Sequence, residues 1–230
     1  MSSPIQGISS MATRQVLAEL VAAYGASAAS PIQIESVGGV DAARRVQAGE
    51  SFDLVVLASD AIDKLIAAGH LQAGSRVDLV RSGVAVAVRA GVPLPDLSTE
   101  ESVRAAVLAA RSVSCSTGPS GVALGRLFER WGIADQLASR MVQAPPGVPV
   151  GKLVARGEVE LGFQQLSELL HVDGIAVAGP LPPAIQIVTT FSAGIPVGTA
   201  RAREVRALLD FMISPAADDA KRRQGMEPAR

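Results

Sequence analysis

Leu17, Leu20, Val21 and Tyr24 recur at i, i+3, i+4 and i+7, the spacing of one helix face. Ser9 and Ser10 stand where the N-cap of that helix is expected, so a first helix is predicted to begin at the serines. Ile32 to Glu35 alternates like a short strand. Ser36-Val37-Gly38-Gly39 follows, then a helix with the apolar face Val40, Ala43 and Val46, stopped by Gly49. Leu54 to Ala58 is a continuous, β-branched run, which suits a strand buried on both faces, and a third helix is predicted directly after Ser59-Asp60. Alternation of strand, polar loop and helix is the pattern of βαβ units around a parallel sheet.

Val84 to Arg89 reads as a further strand, and Gly91 to Ser98, with Pro93 and Pro95, interrupts the pattern before a helix over Glu100 to Ala110. Ser112 to Cys115 is strand-like and Ser116 to Gly121 is a turn. Leu124, Leu127, Phe128 and Trp131 then mark a helix face ended by Gly132. After the proline-rich stretch Pro145 to Pro149 come a short helix through Leu153 and Val154, a strand over Glu160 to Gln164 and a helix over Leu166 to Leu170. Ile175 to Ala178 and Ile185 to Ser192 are strand-like, joined by the rigid Pro180, Pro182 and Pro183. Val205, Leu208, Leu209 and Met212 line a last helix, and the residues from about Lys221 onward are expected to fray.

The chain of 230 residues is long enough for one large domain or two modest ones. With 48% hydrophobic but only 3% aromatic residues, the core must be filled by Ala, Val, Leu and Ile, as helices on a parallel sheet would require. A net charge of −1, with basic residues scattered apart from Lys221 to Arg223, argues against a nucleic-acid partner. Cys115 is the one cysteine, so no intrachain disulfide is possible. No uncharged apolar stretch of about 18 residues occurs, so no membrane insertion is expected. The first fifteen residues lack a secretory pattern, which leads to the expectation of a cytoplasmic protein, or a periplasmic one if the chain is a trimmed mature form.

Four loops share one character. Ser9-Ser10, Ser36 to Gly39, Ser59-Asp60 and Ser116 to Gly121 each precede a predicted helix and offer hydroxyls, glycines and free main-chain N–H groups. A helix N-terminus carries about half a positive charge and up to four unpaired donors, so several together can bind an anion without a cationic side chain. In a parallel α/β sheet these loops all lie at the C-terminal strand edge. The competing reading is that each serine is a plain N-cap.

Four segments together resemble the molybdate-binding branch of the ABC-transporter substrate-binding proteins, in the type II periplasmic-binding-protein superfamily. They are Gly7-Ile8-Ser9-Ser10-Met11, Val46 to Asp60, the turn Gly118-Pro119-Ser120-Gly121, and Leu153 to Gly162. The resemblance implies an α/β fold of two Rossmann-like lobes with a ligand cleft between them. Lobe one is expected over residues 1–82 and 190–230 and lobe two over 83–189, with two connecting strands acting as a hinge. In that family hydroxyls and main-chain N–H groups of such loops hold the ligand, and position by position the resemblance carries over to Ser10 and to the loop Gly118 to Gly121. With the reading of the four loops, the candidate ligand-binding residues are Ser9, Ser10, Gly38, Gly39, Ser59, Thr117, Ser120 and Gly121, with Gln164 and Gln165 beside them. Two departures from the family pattern matter. Gly38-Gly39 stands where a serine is usual, and Gln165 stands where a tyrosine commonly closes the pocket. Fewer hydroxyls and more amides suit a planar carboxylate at least as well as a tetrahedral oxyanion.

The expected function is therefore capture of a small anion, an organic carboxylate before a molybdate-like oxyanion, by lobes that close around it. Aconitate isomerase resembles the same branch, so the alternative is a cytoplasmic isomerase of that type, moving a proton alpha to a carboxylate. Cys115, His171, Glu168, Asp60 and Glu35 are candidate proton carriers among which the sequence does not choose. Arg14, one helical turn after Ser10, is a candidate for a second carboxylate, with Arg44 and Arg45 as rivals. His70, in a Gly-His-Leu helix end, reads as structural. No zinc, nucleotide or nucleophile motif is present, so no cofactor or metal is expected, and an ABC permease is a partner only if the protein is exported.

Overall fold

The computed structural model describes residues 3–25, 30–145 and 147–230. Pro146, in the proline-rich stretch, lies outside the described residues. The chain divides into two compact units, Met1–Arg81 with Thr190–Arg230, and Ser82–Thr189.

The first unit opens with β1 (Ile5–Ser10), a 3-10 turn (Met11–Thr13) and α1 (Arg14–Gly25). Next come β2 (Ile32–Val37), α2 (Gly39–Gln47), β3 (Leu54–Ala58), α3 (Ser59–Ala67) and the start of β4 (Val77–Arg89). The second unit holds the rest of β4, α4 (Glu100–Ala109), β5 (Val113–Cys115), α5 (Pro119–Arg130), α6 (Ala134–Leu137), α7 (Val150–Ala155), β6 (Leu161–Gln165), α8 (Leu166–Leu169) and β7 (Ile175–Pro180). The chain returns through β8 (Val188–Gly194) to α9 (Ala202–Ile213), α10 (Asp218–Arg223) and β9 (Glu227–Pro228).

In the first unit β1 is central, parallel to β2 on one side and to β3 on the other, while β8 runs antiparallel to β3. The sheet is thus mixed where an all-parallel one is predicted. β3 explains its own apolar run: Leu54 and Val56 join the core under α1 and α9, and Val55 and Leu57 join the core under α2 and α3. In the second unit β5 and β6 are parallel, and β4 runs antiparallel to β6 and β7. Val84, Val86 and Phe163 pack with Leu124 and Phe128 of α5 on one face, and Ala85, Ala87 and Leu169 pack on the other.

One expectation is refined and one corrected. Ser10 is the N-cap residue of the 3-10 turn that runs into α1, as expected, but Ser9 and Ser10 also end β1, an element hidden in the sequence because Gly7 interrupts its apolar pattern. Gly7 fits closely there, since an added Cβ would lie 3.0 Å from the Ile34 side chain on the neighbouring strand. The C-terminal residues do not fray. Lys221 is 1% exposed, Met226 is buried in the core, and β9 pairs with β4 through Val80 with Pro228 and Arg81 with Glu227. Arg223 pairs with Glu19 of α1, and Arg230 closes an ion pair with Asp218. The charged composition of this segment reads as solvated because its partners lie far away in sequence.

Deleting Glu227–Arg230 is expected to lower stability by about 1–3 kcal/mol, the scale of a few lost main-chain and charge-assisted bonds. A urea midpoint equal to that of the intact chain would return the segment to a frayed end.

Candidate functional site

β2, β1 and β3 are parallel neighbours, so their C-terminal ends and the starts of the following helices share one edge of the first unit's sheet. Ser9 is paired in register with Ser36, and the two hydroxyls lie 2.8 Å apart. The Ser10 hydroxyl is 3.5 Å from that of Thr13, which donates to the Ser10 carbonyl at 3.1 Å. Gly39, the first residue of α2, comes so close that an added Cβ would sit 3.6 Å from the Ser10 Cβ. Ser59 opens α3 at the same edge. The structure thus gathers Ser9, Ser10, Ser36 and Gly39, with Gly38 at the N-cap of α2 and Thr13 as an addition.

No side-chain cap bond is made at these helix starts. Ser10 makes no side-chain cap bond to the 3-10 turn, and α2 and α3 begin behind Gly38 and Ala58, which have no hydroxyl to offer. The first-turn N–H groups of α2 and α3 are therefore not taken up by side-chain caps, and the positive helix ends face the strand edge. The contrast is α4, where Thr99 and Ser102 form a complete capping box.

The second unit repeats the device. β5 and β6 are parallel, so the Ser116–Gly121 loop and Gln165 leave the sheet at one edge. The Ser116 and Ser120 hydroxyls lie 3.0 Å apart, and α5 starts behind Gly118 with Pro119 at its first position and no side-chain cap. Gly121 is obligatory, since a Cβ there would lie 1.6 Å from the Ser116 carbonyl oxygen. Thr117 is exposed on the same loop.

The two glutamines part company. Strand alternation sends them to opposite faces of β6. Gln165, 3% exposed, donates through Nε2 to the Thr189 hydroxyl at 2.8 Å, and its Oε1 is buried without a partner among the described residues. Gln164 accepts from the Gly151 N–H at 3.2 Å and donates to Glu168 Oε1 at 2.9 Å, so both ends of its amide are engaged within the fold. Thr189 lies 24 residues from Gln165 with no local signal to mark it, whereas Thr13 stands three residues after Ser10, a spacing that hints at the bond.

The other candidates separate by environment. Burial pushes the Glu168 carboxyl up to about 7, the bond from Gln164 opposing this only in part. Burial likewise raises the Cys115 thiol, which suits an unreactive sulfur. Glu35 is held below the usual carboxylate range, chiefly by its hydrogen bond from Arg45. Asp60 pairs with Lys64 at 3.6 Å. Arg44 is tied to Asp41 and Arg45 to Glu35 and Glu50, whereas Arg14 lines a surface groove of about 440 Å³ with Leu17, Ile32 and Ser36. His70 is fixed through its main chain, to Leu65 and Val197. Among the described residues, no three acidic, histidine or cysteine side chains are grouped to hold a metal, and no helix is long and apolar enough to cross a membrane.

Residues 5–227 match the family model of the bacterial extracellular solute-binding proteins. Aconitate isomerase from a Pseudomonas species is 40% identical over 185 residues, covering 80% of this chain and 70% of that protein. The periplasmic molybdate-binding protein of Azotobacter vinelandii superposes with a TM-score of 0.81 at 20% identity, over 98% of this chain and 100% of that one. A sulfate-binding protein of Mycobacterium tuberculosis gives 0.79 at 15% identity, over 99% and 88% of the two chains. These structural likenesses establish the α/β periplasmic-binding-protein fold.

The raised Glu168 carboxyl makes a signed prediction. Its folded value of about 7 exceeds the ordinary 4.5, so the folded state holds the proton more tightly and this group's contribution falls as pH rises from about 4.5 to about 7. Glu168→Gln, which keeps an acceptor for Gln164, is expected to stabilise the protein at pH 8 by up to about 3 kcal/mol and by far less at pH 4.5. Chemical denaturation at the two pH values reads the difference, and equal effects at both would remove the buried carboxyl as its cause.

Proposed function

The chain belongs to the bacterial extracellular solute-binding protein family, and from that premise we propose that it captures a small organic carboxylate through main-chain N–H groups and neutral hydroxyls. One observation carries this reading: helices α2 and α5 start beside paired serine hydroxyls, α3 opens at Ser59, and none of the three takes a side-chain cap. Donors held in advance on a rigid sheet edge bind an anion without reorganising, and neutral donors add no charge that would need pairing when the ligand leaves. Carboxylate is preferred to tetrahedral oxyanion because the 40%-identical relative is named for a carboxylate substrate.

Ser10→Ala and Ser120→Ala are each expected to weaken binding of the preferred carboxylate by about 1–3 kcal/mol, the scale of a lost hydrogen bond to a charged group, with folding little changed. The ligand to use is the strongest stabiliser in a thermal-shift panel of citrate, cis- and trans-aconitate, dicarboxylates, sulfate and molybdate. A ligand at about 100 times its dissociation constant adds about 2.7 kcal/mol. Unchanged affinity in both variants would leave the serines with a purely structural role.

A second reading, isomerisation by proton transfer, is favoured by the same relative and by Glu168, whose value of about 7 allows it to take up and return a proton near neutrality. The two readings separate in D₂O. A binding protein returns aconitate unaltered, so NMR is expected to show neither deuterium incorporation nor interconversion of cis and trans forms. Incorporation would establish the isomerase, and its loss in Glu168→Gln with binding retained would identify that carboxyl as the proton carrier.

A further inference from the structure

Gln165 carries an acceptor that no other described residue satisfies. Its side chain is 3% exposed, its Nε2 is committed to Thr189 at 2.8 Å, and its Oε1 is buried and unpartnered. The hydroxyl of Ser82, on β4, is also buried and unpartnered, so the two do not satisfy each other. An amide carbonyl left without a donor in a buried place loses the hydrogen bonds it would have made to water, a loss large enough to be selected against unless something repays it.

The place is informative. Gln165 is the last residue of β6 and lies opposite Val84 of β4, on the face of the sheet occupied by Phe163 and α5. The neighbouring parallel strand β5 delivers the Ser116–Ser120 hydroxyl pair and the uncapped start of α5 to the same edge. Everything else at that edge can donate: two hydroxyls and the first N–H groups of a twelve-residue helix. Gln165 Oε1 can only accept. A fully ionised anion offers it nothing but repulsion between lone pairs, whereas a ligand that brings its own hydrogen completes the bond.

We infer that Gln165 is a specificity-determining residue, accepting a hydrogen bond from the ligand, so that the protein selects organic acids carrying a donor over fully ionised acids and tetrahedral oxyanions. The inference rests on the carboxylate-binding reading and narrows it. The donor is a hydroxyl on the carbon chain or a proton retained on one carboxyl, and both meet the same oxygen. Thr189 is the positioning residue. By accepting from Nε2 at 2.8 Å it anchors the amide at the end of β6, with Oε1 turned away from the hydroxyl.

Titration calorimetry separates the possibilities with matched pairs, malate against succinate and citrate against tricarballylate, with sulfate and molybdate as aprotic anions. All are measured at one pH near neutrality in two buffers of different ionisation enthalpy. The hydroxylated member of each pair is expected to bind at least about tenfold more tightly without proton uptake, the scale set by an unpaired buried acceptor. If the donor is instead a retained carboxyl proton, the unhydroxylated member binds with uptake of about one proton. Either signature supports the inference, provided that it disappears in Gln165→Met, which keeps the length of the side chain and removes the acceptor. Thr189→Val is the second variant; it keeps the amide but removes the bond that anchors it, and the discrimination should shrink severalfold. Equal binding within both pairs with no proton uptake, discrimination retained in both variants, or sulfate binding as tightly as malate would each overturn the inference while leaving carboxylate binding intact. Failure of every carboxylate to bind would overturn the reading beneath it and this inference together.

Discussion

A helix that follows a strand must begin somewhere, and its first turn always has more N–H donors than the helix itself can use. Most of what is distinctive in this protein follows from how that surplus is handled at two sheet edges. Behind Gly38, Ala58 and Gly118 no capping side chain takes up the surplus, and the nearby serines spend their hydroxyls on one another: Ser9 on Ser36, and Ser116 on Ser120. The close approach that makes this possible is steric as much as electrical. Gly121 admits the Ser116 carbonyl where any side chain would collide with it, and Gly39 brings the start of α2 against Ser10. Donors that neither move nor carry charge suit reversible capture, because the released state leaves no buried cation to be paired.

The order of elements was legible wherever the periodicity was local. The apolar faces of α1, α5 and α9, the doubly buried run of β3 and the glycine stops at Gly49 and Gly132 all stand as the pattern predicts, both glycines with the left-handed backbone that ends a helix. What was not legible depends on partners distant in sequence. β1 is disguised by Gly7, which fits closely against Ile34 of the next strand, and the C-terminal segment is ordered by Glu19, Val80 and Arg81. Strand direction was likewise hidden, because a buried strand has the same composition whether its neighbour runs parallel or antiparallel.

The loops that carry the candidate site were legible as a set, from serine and glycine ahead of each helix, but the duty of each residue was not. Gln164 and Gln165 are adjacent and chemically identical, yet the alternation of β6 sends one into the bonds of Gly151 and Glu168 and the other to Thr189. Only three-dimensional accounting of donors and acceptors tells them apart. The same accounting distinguishes the carboxylates: Glu35 and Asp60 are paired with neighbouring cations, whereas burial raises the proton affinity of Glu168 against the opposing bond from Gln164.

Cys115 closes β5 immediately before the Ser116–Ser120 pair, half-buried and with its thiol raised by desolvation. Because the chain has no other cysteine, an alkylating reagent has a single target, and a shielded thiol reacts chiefly when the strand end transiently opens. The native molecule thus contains a one-site chemical clock for local opening at the mouth of α5. Run with and without a candidate ligand, that clock reads whether the ligand shields the strand end, without a dye or an engineered residue.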